Sequence, residues 1–257
     1  MRDIQDYTQK YLKSDFENMY QVTYRRKNVL KQMARYPHKN ILEIGCGLSS
    51  LGEALEDFES FTVIEPSETF VRCAKRSWRE NASKTFAKVR FINGFFPEDL
   101  LGDFLGKKYD FIICSGLLHE VEDPKILLEG IAQIANEKTV VHINVPNAYS
   151  FHRILAYESG IINELQEFSR RNIALQQHRV LSLNALEKII KDFRGGNEKF
   201  KIVNKGSYFV KMFSHEQMER MLNLHIINEA IIEGLDKMIK YIPDLGSEIF
   251  VDIMLDK

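Results

Sequence analysis

Between residues 40 and 147, apolar segments of strand length alternate with segments of helical character, and this alternation limits the possible folds more than any other feature. The predicted strands are 40–45, 61–65, 88–92, 109–114 and 139–145. The predicted helices between them are 49–57, 67–81, 97–105 and 124–136. Apolar strands that alternate with helices indicate a parallel sheet with helices on both faces. We therefore predict an α/β fold.

The segments outside this repeat have a different pattern. Residues 4–36 have the apolar spacing of one or two amphipathic helices, and 149–178 are helical in period without belonging to a strand–helix unit. We interpret the second segment as an inserted cap. The predicted later elements are a helix at 184–193, one or two strands in 199–213, a helix opened by Ser214 as a capping box with Gln217, and a last strand at 247–255. Neither repeats nor linkers divide the chain, so we predict a single domain over 1–257, with parts 1–38, 39–147, 148–195 and 196–257.

Composition excludes several classes of partner. The chain has 35 Lys and Arg against 36 Asp and Glu, a net charge of −1, which argues against nucleic acid or an anionic membrane as the main partner. Its apolar runs are too short to span a membrane, and its N-terminal residues lack the apolar core of a signal peptide. The three cysteines contain no CxxC pair, which favours a reducing compartment. We expect a cytoplasmic protein.

The segment NILEIGCGLSS, residues 40–50, predicts a ligand site. A buried strand runs into the turn Gly45-Cys46-Gly47, where backbone N–H groups can approach a ligand. The chain contains no P-loop pattern, and Ser50 stands at the third position of the dinucleotide pattern G-x-G-x-x-G/A. Glu65 ends the second strand at about the distance expected for a ribose-binding carboxylate. These residues indicate a nucleotide-containing cofactor.

Four motifs resemble those of the class I S-adenosylmethionine-dependent methyltransferases. Glu43-Ile44-Gly45-Cys46-Gly47 is similar to the first motif, although Ser49 replaces a frequent third glycine, and Glu65 matches the acid that binds the ribose hydroxyls. Asn93-Gly94-Phe95 matches the loop beside the adenine, and Ser115 to Glu120 match the motif after strand four. The resemblance implies a Rossmann-like, mostly parallel sheet of seven strands with an antiparallel last strand. It also implies S-adenosylmethionine as cofactor, bound by Glu43, Gly45, Cys46, Gly47, Glu65, Pro66, Gly94, Phe95 and Ser115.

Glu43 is an unusual residue for a buried strand, because an unpaired buried carboxylate is costly. A sulfonium and an ammonium against one carboxylate make S-adenosylmethionine a cation, so we expect Glu43 to face its methionine end. The alternative is a structural acid paired with Lys39 or with the region of Arg25 and Arg26. We predict that Arg25 pairs with the methionine carboxylate; an exposed helix face would explain it equally well.

Two histidines are candidate general bases. His119 follows strand four, where acceptor and methyl group meet in this family, and an imidazole titrates near neutral pH. His152 begins the cap. The alternative for His119 is a neutral side chain packed under the cap. The segment HEVED, 119–123, lacks the second histidine of HExxH, so we expect no metal site.

The acceptor is predicted to be a small molecule. Residues 114–117 have neither the [DNS]PP[YF] signature of DNA amino methyltransferases nor a Pro-Cys nucleophile. The segments from Val145, Gln176 and Lys205 onward resemble bacterial methyltransferases of surface-polysaccharide (capsule) biosynthesis. That resemblance implies a phosphorylated or nucleotide-linked sugar, or a phosphoramidate-type precursor, as acceptor of O-methyl transfer.

The cap is predicted to bind the anionic part of this acceptor. The pairs His152-Arg153 and His178-Arg179 bracket the inserted segment, and arginine is matched to phosphate oxygens. We expect Arg153 and Arg179 to contact the acceptor. Its other predicted contacts are Asn147, Tyr149 and Tyr208. Two alternatives remain: a catalytically silent cofactor-binding subunit, and an NAD(P)-dependent oxidoreductase.

Overall fold

A computed structural model describes residues 2–14, 20–196 and 198–256. In this part of the chain seven strands form one sheet, in the order β3-β2-β1-β4-β5-β7-β6. The strands are β1 Asn40–Ile44, β2 Ser60–Glu65, β3 Val89–Asn93, β4 Phe111–Ser115, β5 Val140–Pro146, β6 Lys199–Tyr208 and β7 Glu248–Asp256. β1 to β5 are parallel, whereas β7 runs antiparallel to both β5 and β6. The predicted Rossmann-like fold with an antiparallel last strand is confirmed.

Helices surround the sheet. They are α1 Ile4–Lys13, α2 Tyr20–Met33, α3 Glu68–Asn81, α4 Pro124–Ile134, α5 Phe151–Glu158, α6 Arg170–Ala174, α7 Leu183–Asp192, α8 His215–Asn223 and α9 Glu229–Lys237. Asp123 caps α4, with Pro124 in its first turn, and Ser214 opens α8 in the predicted capping box. The sequence pattern did not predict α9. Within the described residues, no helix is both long and apolar enough to cross a membrane.

Two predicted helices are shorter than expected. Residues 49–57 contain only the 3₁₀ turn Leu51–Ala54, and 97–105 contain only Leu101–Asp103. Gly52 lies in the first of these turns, where a Cβ would come within 2.6 Å of the rings of Trp78 and Phe61. The predicted cap is also divided, with α5 and α6 separated by residues 159–169. The connections were therefore harder to predict than the strands.

The core lies on both faces of the sheet, and β4 illustrates why. Phe111, Ile112, Ile113 and Cys114 are fully buried, as expected for a central parallel strand between two helical layers. The strand order reverses at β1 and β4, whose neighbours lie on opposite sides. In open α/β sheets this reversal opens a crevice at the carboxyl ends of the strands, where ligands bind.

Candidate active site

A cavity of about 240 Å³ lies at this crevice. The glycine turn after β1 and the end of β2 form one end of the cavity. The cap, the residues after β5, and the segments around Lys211 and Ser247 form the other end. The loop after β4 lies between them, and α1 and α2 also contribute to the wall. Residues predicted for cofactor and for acceptor therefore line one continuous space.

Glu65 lies at the end of the cavity that the glycine turn and β2 form, which is named the cofactor end after its predicted ligand. One carboxylate oxygen accepts a hydrogen bond from Gly47 N at 3.1 Å, and the other accepts one from Ser67 N at 2.9 Å. Burial raises the pKa of Glu65 to about 7, against the effect of these two bonds. A carboxylate has about four lone-pair sites. Two backbone donors therefore leave Glu65 with acceptor capacity for ribose hydroxyls.

The glycine turn has the backbone conformation that the sequence predicts. Gly45 and Gly47 have φ of +80° and +63°, a region that other residues rarely adopt. Both glycines line the cavity, as does Cys46, and burial raises the pKa of the Cys46 thiol well above its usual value. The turn therefore presents backbone rather than bulky side chains to the ligand.

Glu43 lines the cavity, but its hydrogen bonds are internal. Its Oε1 accepts from Leu51 N at 3.1 Å, and its Oε2 accepts from the Ser50 hydroxyl. Burial raises the pKa of Glu43 to about 7, although these bonds and the charge of Arg26 oppose the rise. Lys39 pairs instead with Asp57. The donors that offset the buried acid thus come from the turn that follows its own strand.

Arg25 lines the cavity from α2 and is anchored to the sheet. Its Nε donates to Glu248 Oε1 at 2.6 Å, and the other oxygen of Glu248 accepts from Asn144 Nδ2 at 2.6 Å. A Cβ on Gly116 would lie 3.4 Å from the Arg25 guanidinium, so glycine leaves room for it there. Arg25 therefore lies at the cavity wall next to the loop after β4.

His119 and His152 both line the cavity in the neutral form. Among the described residues, neither ring nitrogen of His119 has a hydrogen-bond partner, although its side chain is buried. Burial lowers the pKa of His119 to about 4, and Glu120 opposes this, its carboxylate 3.9 Å from Nε2. His152 Nδ1 lies 3.0 Å from Ser150 Oγ, and burial lowers its pKa well below the usual value. Both rings are therefore unprotonated at neutral pH, and the same burial makes them weaker bases.

The two cap arginines line the cavity, but they bind backbone carbonyls. Arg153 donates to Leu165 O at 2.9 Å and to Glu167 O at 2.7 Å. Arg179 donates to three carbonyls of the loop after β4: Leu118 O at 3.3 Å, Val121 O at 2.5 Å and Glu122 O at 2.7 Å. The cap is fastened to itself and to this loop by the residues predicted to bind the acceptor.

Four predicted site residues lie outside the wall of this cavity. Gly94 donates its N–H to Glu65 O at 3.2 Å, which places the loop of Gly94 and Phe95 beside the acid without reaching the cavity. Tyr149 is exposed, with its hydroxyl 3.4 Å from the Gln166 amide. Tyr208 is buried in the sheet, where its hydroxyl lies 2.7 Å from Nε2 of His142. The remaining predicted residues, including Pro66, Ser115 and Asn147, line the cavity.

Sequence reasoning missed the contribution of α1 to the site. Arg2 donates to Glu120 Oε2 at 2.8 Å, and the Tyr7 hydroxyl lies 3.3 Å from the same oxygen. Tyr7 and Tyr11 pack with Phe70 of α3 and Leu175 of the cap. The helix therefore joins the cofactor end to the cap. The apolar spacing of this segment predicted a helix, but nothing local predicted what the helix would cover.

Lys211 and Ser247 were also missed. Both are buried and line the end of the cavity that the cap and the residues after β5 form, which is named the acceptor end after its predicted ligand. A charged residue inside the apolar run Tyr208-Phe209-Val210-Lys211-Met212-Phe213 is the signal that could have found Lys211. No comparable signal marks Ser247.

The residues present fit S-adenosylmethionine. Glu65 has free acceptor capacity, and the glycine turn exposes backbone. Two buried acids, Glu43 and Glu65, favour a cationic ligand over a pyrophosphate. Among the described residues, no group of three or more His, Cys, Asp or Glu side chains could hold a metal ion.

Comparisons with known proteins agree with this fit. The sequence matches the family described as a methyltransferase domain over residues 5–193. The ubiquinone biosynthesis O-methyltransferase of Nitrosospira multiformis is 24% identical over 123 residues, which cover 48% of this chain and 49% of that enzyme. The chain spans about half or less of the length of the curated relatives it matches.

Solved structures of low sequence identity share the fold. A SAM-dependent methyltransferase of Thermotoga maritima, a possible histamine N-methyltransferase, has a TM-score of 0.58 at 16% identity, over 95% of this chain and 93% of that one. The plantazolicin methyltransferase BamL, solved with S-adenosylhomocysteine and a triazolic desmethylPZN analog, has a TM-score of 0.58 at 13% identity, over 96% and 90%. The chain belongs to the methyltransferase-domain family, which implies S-adenosylmethionine as cofactor, and it has the fold of S-adenosylmethionine-dependent methyltransferases.

Proposed function

We propose that the chain transfers the methyl group of S-adenosylmethionine to an oxygen atom of a small anionic acceptor. One observation carries this proposal. The cavity joins the acid-lined glycine turn, which suits the cofactor, to an end lined by two neutral histidines and several cationic side chains. A site that only bound the cofactor would not need the second end.

When bound, S-adenosylmethionine would supply an electrophilic methyl group, and its transfer to the acceptor oxygen would release S-adenosylhomocysteine. The chain's residues orient the reactants and exclude water. Glu65 would hold the ribose hydroxyls, and the backbone at Gly45 and Gly47 would border the methionine part. Arg25, already paired with Glu248, would approach the methionine carboxylate. Glu43 would stay within its turn and face the cationic end at short range.

His119 would accept the hydroxyl proton of the acceptor. Its two ring nitrogens are buried and have no partner among the described residues, and its low pKa keeps it neutral at working pH. His152, from the other wall of the cavity, is the second candidate. Asn147 lines the cavity at the end of β5, and its amide donates to the carbonyls of Asp244 and Gly246. Its part is to shape the acceptor end.

The nature of the acceptor follows from charge and enclosure. Arg153, Arg171, Arg179 and Lys211 line the acceptor end, which favours an anion. The O-methyltransferase named among the relatives supports oxygen as the methylated atom. A role in surface-polysaccharide biosynthesis stays a prediction from the sequence resemblance. We propose a cytoplasmic location as well, which the free thiols of Cys46, Cys73 and Cys114 support.

Two measurements test the proposal. Calorimetric titration with S-adenosylhomocysteine and with NADH should show binding of the first alone; binding of NADH alone would instead support an oxidoreductase. A screen of phosphorylated and nucleotide-linked sugars should then show methyl transfer to at least one acceptor. Tight binding of S-adenosylhomocysteine with no transfer across such a screen would favour the silent binding subunit.

A further inference from the structure

Lys211 is a buried amine at the acceptor end of the cavity. The residue is 7% exposed, and its Nζ donates to Gln21 Oε1 at 3.2 Å. Across the described parts of the chain no carboxylate forms an ion pair with it. Lysine is rarely buried unless it is paired, because desolvation of the ammonium is costly. A buried lysine with only an amide for a partner suggests that a ligand supplies the missing anion.

The backbone around Lys211 is held in an unusual conformation. Phe209 has φ of +54°, a left-handed value that a bulky side chain adopts only when its surroundings enforce it. Ser247 N donates to Phe209 O at 2.7 Å, and Val210 N donates to Leu235 O at 3.2 Å. The Phe209 ring also stacks on Tyr24, with centroids 4.9 Å apart. These contacts hold the backbone that follows β6 and thereby position Lys211.

The groups that face Lys211 are mostly cationic or neutral. Arg171 of α6 and Arg153 of α5 repel its charge, and burial together with these two lowers the pKa of Lys211 to about 8. Glu248 of β7 opposes this, but it is already bonded to Arg25 and Asn144. His152 and His215, whose own pKa values are lowered by burial and by Lys211, add no negative charge.

A second donor in the same cavity lacks a partner. The Ser247 hydroxyl is buried and makes no hydrogen bond among the described residues. Its backbone N–H is bonded to Phe209 O, two residues before Lys211, and both Ser247 and Lys211 line the cavity. Buried polar groups are normally satisfied, and an exception calls for an explanation. An anionic oxygen would satisfy the hydroxyl and neutralise the ammonium together.

Resting on the proposed function, we propose that Lys211, Ser247 and Arg171 form the subsite that receives the anionic group of the methyl acceptor, a phosphate or a carboxylate. The anion takes the place of the carboxylate partner that Lys211 lacks among the described residues. It binds the protonated amine and raises its pKa, so binding takes up a proton near pH 8. Arg153 and Arg179, which hold backbone carbonyls, shape the walls around this subsite.

Sulfate and acetate serve as probes, because the charge of neither changes between pH 7 and pH 9. The protein is first saturated with S-adenosylhomocysteine and is then titrated with each anion by calorimetry at both pH values. With a lysine pKa of about 8, we expect the dissociation constant to rise about tenfold from pH 7 to pH 9. Tighter binding of sulfate indicates a phosphate on the acceptor, and tighter binding of acetate indicates a carboxylate.

Three variants decide the role of Lys211. Lys211→Met should weaken binding of the preferred anion at least tenfold at pH 7. Lys211→Arg should bind it with little change between pH 7 and pH 9, because arginine stays charged. Lys205→Met is the matched control: Lys205 is half-exposed on β6, where it pairs with Glu187, and its loss should leave anion affinity unaltered.

The affinity for S-adenosylhomocysteine distinguishes a failure of the proposed function from a failure of the anion subsite. If it does not bind, the proposed function fails before any anion is added. If it binds, and neither anion binds the wild-type protein, the subsite does not exist. Equal affinity in wild type and Lys211→Met, or an unchanged pH dependence in Lys211→Arg, would likewise overturn the assignment.

Discussion

The two ends of the cavity differ in their buried ionisable groups, with two acids at one end and a lysine at the other, and these groups come from differently organised parts of the chain. At the cofactor end, Glu43 and Glu65 end or nearly end two adjacent strands, and backbone N–H groups within eight positions of Glu43 and eighteen of Glu65 satisfy them. Outside the cofactor end, Gln21, His119, His152, Arg171 and Lys211 line the cavity from five separate segments. Local motifs therefore encode one end, and tertiary packing assembles the other.

This difference has an energetic counterpart. Both cofactor-end acids have pKa values raised to about 7 by burial, while the acceptor-end amine and His119 have values lowered to about 8 and about 4. For the two acids and the lysine, burial disfavours the charged form, and a ligand of opposite charge would restore it, whereas His119 has to stay neutral to act as a base. The cavity is thus matched to a cation at one end and to an anion at the other.

Loss of His119 should have the largest effect on turnover. General-base catalysis contributes roughly 10²- to 10⁴-fold, so His119→Ala should lower kcat by about this factor while the affinity for S-adenosylhomocysteine stays normal. Because the pKa of His119 is about 4, the wild-type kcat should show no loss from its protonation between pH 8 and pH 5.5. Steady-state kinetics over this range are the measurement. A fully active His119→Ala enzyme would leave His152 as the candidate.

Loss of Glu65 should break the cofactor end without touching the acceptor end. Hydrogen bonds to a charged group contribute roughly 1.5–3 kcal/mol each, so Glu65→Ala should weaken S-adenosylhomocysteine binding about a hundredfold. Glu65→Gln keeps one acceptor oxygen and should lose less. Calorimetry gives both constants, and circular dichroism checks the fold. Unchanged affinity in a folded Glu65→Ala protein would refute its role at the ribose.

The same contrast explains how much the sequence predicted. Five parallel strands, the glycine turn and Glu65 were all predictable, because each depends on residues close together in the chain. Tyr208 was misplaced because alternation along a strand does not say which ligand its face meets; in the structure it bonds His142 within the sheet. Arg153 and Arg179 line the cavity, and their contact with the acceptor stays a prediction. Their carbonyl partners depend on how the cap and the loop after β4 fold.

The N-terminal helix shows the same limit. The ion pair of Arg2 with Glu120 joins residues 118 positions apart, and no pattern in either segment reveals it. The sequence assigns Glu120 only to the motif after strand four. Its additional contacts with Tyr7 and Gln177 exist only because α1, the loop and the cap meet over the cofactor end. Such contacts follow from the completed fold.

Glu43 allows the free-energy cost of burying an ionised carboxylate at the cofactor end to be measured. Its folded-state pKa of about 7 lies above the ordinary value of 4.5, so between these values the folded protein holds a proton that the unfolded chain has lost. The free energy of unfolding should therefore fall as the pH rises through this window, by about 2 kcal/mol between pH 5 and pH 8 from this group. Urea unfolding of the ligand-free protein measures it.

Glu43→Gln supplies the control, because glutamine can bond Ser50 and Leu51 but does not titrate. The difference in unfolding free energy between the two proteins should grow with pH, with the variant gaining. A difference that stays constant from pH 5 to pH 8 would show that Glu43 is ionised throughout, and that its internal bonds outweigh the cost of burial.

Loss of Arg153 should have the smallest effect, but the effect distinguishes two roles. Arg153 is a cation at the acceptor end, yet its hydrogen bonds go to backbone groups close in the chain, as those of the cofactor-end acids do. Two of its five donors hold Leu165 O and Glu167 O, so we expect it to position the cap and to act on the acceptor only through that position. Arg153→Ala should raise the acceptor KM about tenfold, with normal affinity for S-adenosylhomocysteine, since a charged hydrogen bond contributes roughly 1.5 kcal/mol or more. Arg153→Lys keeps the charge but cannot span both carbonyls, and it should be nearly as impaired. Steady-state KM values for the two variants decide the matter: full rescue by lysine would mean that the charge itself contacts the acceptor, as the sequence alone predicted.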